Sequence, residues 1–410
     1  MRGDDGGPGR PTSGPTKPLR VVHCLYDVAG NAHGLVRAER ELGLHSTAVV
    51  LRAGPNEFTM DEVLCHPEDT YLRQEVQRFR LLGRVLRHAD VVHFNFGRSI
   101  MPPWKGWGSS SSTGLGRLGA VPVDLYLRAL WMKDIPLLHA AGKALFVTFQ
   151  GDDARQGDYC AAHDEVSQVT HVEPGYYTER SDAAKRRAIA LFDRYVDGMF
   201  AVNPDLLRVL PKRARFVPYT SVDPREWPVR PRSGTGVPKV LHAPSHRGVK
   251  GTRFVIEAVE QLRSEGVPFE FRLVEGLRHE EARALYDDAD LLVDQLLVGW
   301  YGALSVELMA MATPVVCYLR TGDFDYLAPP MRDELSIVNA EPRTITTVLR
   351  DLLTVRRGEL PELGRRGRAY VERWHDPVRI ATDMRDAYED AVAARRRLPA
   401  SFVDRWRRPG

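Results

Sequence analysis

The run Val298-Gly-Trp-Tyr-Gly-Ala-Leu-Ser-Val-Glu307-Leu-Met-Ala-Met-Ala-Thr-Pro314-Val-Val decides how this chain is read. A glycine-containing loop leaves one predicted strand, Leu291 to Asp294. It feeds a predicted helix, Ser305 to Met311, and then a second strand, Pro314 to Tyr318. A helix start carries amides without intrahelical acceptors and the positive end of the dipole, so a phosphate fits there. Glu307 is expected in the first turn. There its carboxylate either accepts hydrogen bonds from ribose hydroxyls or only favours the dipole, by a few tenths of a kcal/mol.

Upstream, Leu241-His-Ala-Pro-Ser-His246-Arg247-Gly-Val-Lys250-Gly-Thr252 ends a strand, Lys239 to His242, at a turn with two cations. Open parallel sheets bind ligands at the carboxyl ends of their strands. Arg247 can grip a phosphate through two hydrogen bonds and Lys250 as a point charge, although two cations in a loop also describe a solvated surface. The helix Thr252 to Ser264 follows, with Phe254, Val255, Ala258, Val259 and Leu262 forming one apolar stripe. A strand at Phe269 to Val274 and a helix at Glu280 to Asp287 complete the alternation. Strand, helix, strand in this order predicts a doubly wound parallel sheet.

The same alternation fills the first half. Strands are expected at Leu19 to Leu25, Ser46 to Leu51, Val91 to Phe94, Ala144 to Phe149 and Gly198 to Val202. Helices are expected through Arg37 to Leu42, Tyr71 to Arg87 and Ser181 to Tyr195. A Pro- and Arg-rich stretch then reads as a linker. The chain divides into a tail (1–17), an N-terminal Rossmann-like domain (18–222), the linker (223–237), a C-terminal Rossmann-like domain (238–375), and a closing helix with a basic tail (376–410). The fold class is α/β, two doubly wound domains facing a cleft. Pro102 to Gly119 breaks the pattern with a Gly/Ser-rich loop carrying Trp104 and Trp107, either a cover for the cleft or an inert insertion.

With 57 basic and 54 acidic residues among 410, the formal charge is +3, which lacks the basic excess of a nucleic-acid binder. Cys24, Cys65, Cys160 and Cys317 are far apart and suggest neither a zinc site nor a disulfide framework, which fits a cytoplasmic protein. There is no apolar run long enough to span a bilayer. The basic C-terminal tail, with Phe402, Val403 and Trp406, reads as a solvated terminus or as a peripheral contact with an anionic membrane.

Taken in order, the cationic turn ending in Lys250-Gly251 and the loop feeding Glu307 to Val316 resemble the retaining GT-B glycosyltransferases of family 4. Phe216-Val-Pro-Tyr-Thr-Ser-Val-Asp223 and Arg368-Ala-Tyr-Val-Glu-Arg-Trp-His375-Asp376 agree with that family's pattern. The resemblance spans about residues 20 to 390. It implies a nucleoside diphosphate sugar as co-substrate, with no metal or other cofactor. Arg247 and Lys250 would neutralise the leaving diphosphate, the amides of Gly302, Ala303 and Leu304 would cap it, and Glu307 would bind the ribose. It also implies a glycine-rich donor loop at Ala29-Gly30-Asn31, which reads equally as a plain turn with Asn31 as an αL or capping residue. Gln150 and Asp152 would face the acceptor or the sugar, while Asp152-Asp153 alone is also a weak metal-binding pair.

One departure stands out. The family's first glutamate falls at Gly299, so the chain is expected to use a different sugar, recruit Asp294 or Gln295, or lack activity. The activity implied is transfer to a hydroxyl acceptor of a glycan, a lipid-linked sugar or a natural product. The alternatives are a non-catalytic nucleotide-binding subunit and a nucleotide-sugar epimerase.

Overall fold

A computed structural model describes residues 17–54, 60–103, 125–229 and 236–396. Most of the N-terminal tail, the loop with Trp104 and Trp107, and the basic tail beyond Arg396 lie outside the described residues. The first sheet comprises β1 (Arg20–Cys24), β2 (His45–Val50), β3 (Glu62–Val63), β4 (Val91–Phe94), β5 (Ala144–Phe149), β6 (Gly198–Ala201) and β7 (Arg215–Phe216). Its order is β3-β2-β1-β4-β5-β6-β7. Between and after these strands run α1 (Asn31–Glu41), α2 (Tyr71–His88), α3 (Asp134–Ala140), α4 (Gly157–His163), α5 (Glu179–Tyr195) and α6 (Pro204–Leu207).

The second sheet holds β8 (Lys239–His242), β9 (Glu270–Leu273), β10 (Leu291–Val293), β11 (Val315–Cys317) and β12 (Val338–Asn339), in the order β12-β11-β10-β8-β9. Its helices are α7 (Arg247–Lys250), α8 (Thr252–Ser264), α9 (His279–Tyr286), α10 (Ala303–Ala310), α11 (Pro329–Asp333), α12 (Ile345–Leu353), α13 (Leu360–Trp374) and α14 (Pro377–Arg396).

Both sheets are parallel, with registers such as Val21 opposite Val91 and Leu291 opposite Val240. Strands β4 and β5 are buried along their whole length, the apolar signature of a sheet covered on both faces. Each sheet reverses its strand order once, between β1 and β4 and between β8 and β10, and these switch points open crevices at the carboxyl ends. The predicted strands at β4, β5 and β8 and the helix α8 form over the residues read from the sequence. The edge strands β3, β7 and β12 were not foreseen, since two residues carry no periodicity.

The first part of the stretch read as linker is packed. Asp223 accepts the amide of Arg225 at 2.9 Å to cap a short 3₁₀ turn, and the Arg283 guanidinium lies 3.8 Å over the buried Trp227 ring. Helix α14 follows α13 of the second half directly and packs on α1 and β5 of the first. Its Tyr388 hydroxyl is 2.6 Å from His93 Nδ1, and Arg395 pairs with Asp197 at 2.8 Å. One apolar cluster therefore runs from Val21, Leu35 and Phe146 through Tyr388 to Leu241, Val306 and Tyr370. Among the described residues no helix is long and apolar enough to cross a membrane.

Candidate nucleotide-sugar site

The site grows from the second switch point. Gly251, at φ 74°, is the left-handed joint that ends α7 and starts α8, a conformation that favours glycine. It brings Lys250 back over the end of β10, where Lys250 Nζ meets Asp294 Oδ1 at 2.8 Å. The other oxygen of Asp294 accepts the Gly302 amide at 2.8 Å and the Ser305 hydroxyl at 2.7 Å. Burial alone would raise the Asp294 pKa. Lys250 and these two donors outweigh it and hold the carboxyl below its ordinary range. One buried carboxylate thus fixes the cationic turn, the loop and the start of α10 together.

His242, at the end of β8, braces the same corner. Its Nδ1 lies 2.8 Å from the Val293 carbonyl, so this nitrogen donates and Nε2 accepts from the Thr252 hydroxyl at 2.9 Å. Burial lowers its pKa to about 4, keeping the ring neutral.

Above this corner opens a cleft of about 520 Å³. Lys250, Ala303, Leu304 and Glu307 line one wall, Glu275 to His279 line another, and Ala29 reaches in from the first half of the chain. Glu307 is 5% exposed. Its Oε1 lies 2.9 Å from His279 Nε2, while Oε2 is buried without a hydrogen-bond partner among the described residues. Contact with Glu307 raises the His279 pKa against the opposing effect of burial. Arg247 does not itself line the cleft; it is largely exposed, with its Nε 2.8 Å from Glu275, which does.

Several sequence-based placements change. Helix α10 begins at Ala303 with Gly302 as its N-cap, because Asp294 ties down the Gly302 amide; Glu307 therefore lies in the second turn, not the first. The Gly302 amide is committed to Asp294. Ala303 and Leu304, at the first two helical positions, line the cleft, and their amides have no intrahelical acceptor. At the first switch point Ala29 and Gly30 both have positive φ, 54° and 74°, and the Gly30 amide lies 2.9 Å from Asp27. Asn31 is the first helical residue, not an αL residue, and its side-chain oxygen accepts the Thr220 amide at 2.8 Å. Neither Gly30 nor Asn31 lines the cleft.

Gln150 and Asp152 also stand apart from it. Asp152 is held by Arg155 at 3.0 Å and by the hydroxyls of Tyr176 and Tyr177. Burial pushes its carboxyl up, and these partners bring it below the usual range. Asp153 accepts the amides of Gln150, Gly151 and Gly97, and burial raises it to about 6. The two carboxylates therefore serve different local networks. Gln150 donates to the Asn95 carbonyl, and its own buried Oε1 has no partner among the described residues.

His279 escaped the sequence reading, which started its helix one residue late at Glu280. The available signal was a polar residue at a strand-to-helix turn on the ligand-binding edge of a sheet.

No family model and no curated protein matches the chain. Solved structures do match it. Sucrose-phosphate synthase from Thermosynechococcus elongatus superimposes with a TM-score of 0.56 at 15% identity, over 92% of this chain and 100% of that one. HepE from Anabaena, solved in complex with UDP-glucose, gives 0.56 at 10% identity over 91% and 100%. A glycosyltransferase from Rickettsia africae gives 0.51 at 10% identity over 92% and 99%. The chain has the GT-B fold.

Within this GT-B chain, Gly299 is not an empty place for a glutamate. Its φ is +90°, and a Cβ there would lie 2.8 Å from an Arg320 guanidinium nitrogen. Nor are the residues named as substitutes available: Asp294 is used as described above, and buried Gln295 donates to the Trp300 carbonyl.

Proposed function

We propose that this chain is a glycosyltransferase that moves a sugar from a nucleoside diphosphate sugar to a hydroxyl acceptor, without metal and with retention at the anomeric carbon. The observation that carries this reading is Glu307 Oε2. It is a buried, unpartnered acceptor in the wall of a cleft that also holds Lys250 and the start of α10. A carboxylate oxygen kept dry without a donor is costly, and a ribose hydroxyl supplies the missing donor.

In this reading Lys250 and the amides of Ala303 and Leu304 receive the diphosphate, and Arg247 leaves Glu275 to join them. The bond between the anomeric carbon and the diphosphate breaks as the acceptor oxygen bonds to that carbon. The acceptor's proton passes to the departing phosphate oxygen. The cations stabilise charge that grows on the diphosphate, so they act mainly in the transition state.

The test begins with a thermal-shift screen of UDP, GDP, ADP and TDP sugars, headed by UDP-glucose because HepE was solved with it. Transfer to glycan, lipid-linked and small hydroxyl acceptors follows. Arg247→Ala and Lys250→Ala are each expected to lower transfer by about 100-fold or more. Full activity in both variants overturns the assignment. The remodelled loop at Gly299 favours one second reading, a GT-B subunit that binds nucleotide without turnover; binding with no transfer from any donor would select it.

A further inference from the structure

The Glu307 carboxylate is held from across the cleft by a second residue. Glu307 lies on the second turn of α10, and among the described residues no backbone amide holds its carboxylate. His279, the first residue of α9, approaches across the cleft and puts Nε2 2.9 Å from Oε1. This contact uses one oxygen and leaves Oε2 buried and unpartnered. Both side chains are mostly buried, 19% exposed for His279 and 6% for Glu307, so water competes little for the pair.

We propose that His279 is a positioning residue. By pinning Oε1 it fixes the Glu307 carboxylate so that Oε2 meets a ribose hydroxyl, and the site thereby selects ribonucleoside over deoxyribonucleoside diphosphates. The proposal rests on the donor-site reading above. A ligand lacking the hydroxyl leaves Oε2 dry and unpaired, and sites built around a hydrogen bond reject such analogues strongly. Without His279 the carboxylate can turn, and the hydroxyl no longer meets a fixed acceptor.

The charges that face His279 are Glu307 from α10, with Arg283 and Glu280 from its own helix. Lys250 from α7 and Glu275 beyond β9 line the same cleft. Glu307 is the leading influence and holds the proton on His279, so the pin is strongest at acidic to neutral pH and weakens as pH rises.

Calorimetry with UDP, GDP and ADP, each beside its 2′-deoxy and 3′-deoxy forms, tests this on the full chain. The wild type should prefer the ribo form of its nucleotide by about tenfold or more. His279→Ala should cut that preference to about threefold or less, and His279→Gln, whose amide can donate to Oε1, should keep most of it. The preference should decline with rising pH in the wild type and stay flat in His279→Gln. Melting curves of both variants establish that they are folded. An unchanged preference and pH profile in folded His279→Ala overturns the role of His279 alone. A wild type that binds none of the nucleotides overturns the donor-site reading, and this proposal with it.

Discussion

Placing a side chain at Gly299 tests the reading of the loop most directly, because the resemblance to family 4 puts a glutamate there. The backbone at Gly299 has φ +90°, which costs an L-residue about 1–3 kcal/mol. A new Cβ would also lie 2.8 Å from one Arg320 guanidinium nitrogen and 3.0 Å from the Arg320 Cβ and Cζ. Arg320 cannot swing away freely. It is 3.2 Å from Asp164 and 3.1 Å from Asp323, and those carboxylates are only 3% and 4% exposed. Breaking a buried pair on one side costs about 3–5 kcal/mol. Gly299→Ala should therefore lose at least about 1–3 kcal/mol, and approach about 5 kcal/mol if the guanidinium is expelled. Urea unfolding followed by far-UV circular dichroism measures this, with Gly322→Ala as control, since a Cβ there meets nothing within 4 Å. In an Arg320→Ala background the clash with the guanidinium is gone, and the backbone cost and the 3.0 Å contact with the Cβ at position 320 remain. A coupling of about 0.5–3 kcal/mol between the two sites is thus expected. A Gly299→Ala protein within about 0.5 kcal/mol of the wild type would refute the account.

Lys250→Ala and Arg247→Ala should separate in stability although both reduce transfer. The first strands the buried Asp294 carboxylate and costs about 3–5 kcal/mol, while the second removes an exposed side chain and stays within about 0.5 kcal/mol by chemical denaturation. Gly34→Ala would place a Cβ 1.8 Å from the Thr220 carbonyl oxygen, backbone that cannot step aside. It should cost about 3 kcal/mol, the upper end for overpacking, and show in the melting temperature. The His279 and Glu307 pair gives a pH signature. His279 is raised above its ordinary 6.5, so its contribution to stability is complete below pH 6.5 and is lost as pH rises through the raised value. Melting temperatures of the wild type and His279→Gln should differ most at acidic pH and converge at alkaline pH.

The order of strands and helices was legible because buried parallel strands such as β4 and β5 are continuous apolar runs, and α8 carries a clean stripe. Lys250 and Glu307 were legible as well. Both stand where a strand turns into a helix, and the fold brings them to one cleft. What sequence could not supply was partnership across distance. Asp294 looked like a spare carboxylate for a sugar, yet it is the anchor for Lys250, Gly302 and Ser305. Asp152 and Asn31 carry polar groups at the right strand ends, but Tyr176, Tyr177, Arg155 and Thr220, remote in sequence or set by loop geometry, absorb them. A motif fixes which residue types arrive at an edge. Which of them keeps a free atom depends on contacts between segments far apart in the chain.

Gly299 shows the same dependence working in reverse. Its missing side chain leaves the space into which Arg320 packs, and Arg320 reaches across to the first half of the chain, to Asp164 and the Val166 carbonyl. Arg208 completes the junction, 2.5 Å from Asp164 and 3.6 Å from Asp323. Two guanidinium groups and two buried carboxylates thus balance one another at the seam between the halves, where either cation alone would leave a carboxylate uncompensated. The glycine is therefore better understood as part of an interdomain ion network than as a deleted sugar ligand. Restoring a glutamate at 299 would add a third carboxylate beside that seam and force the backbone strain besides. It should weaken the union of the two halves before it could touch a donor sugar.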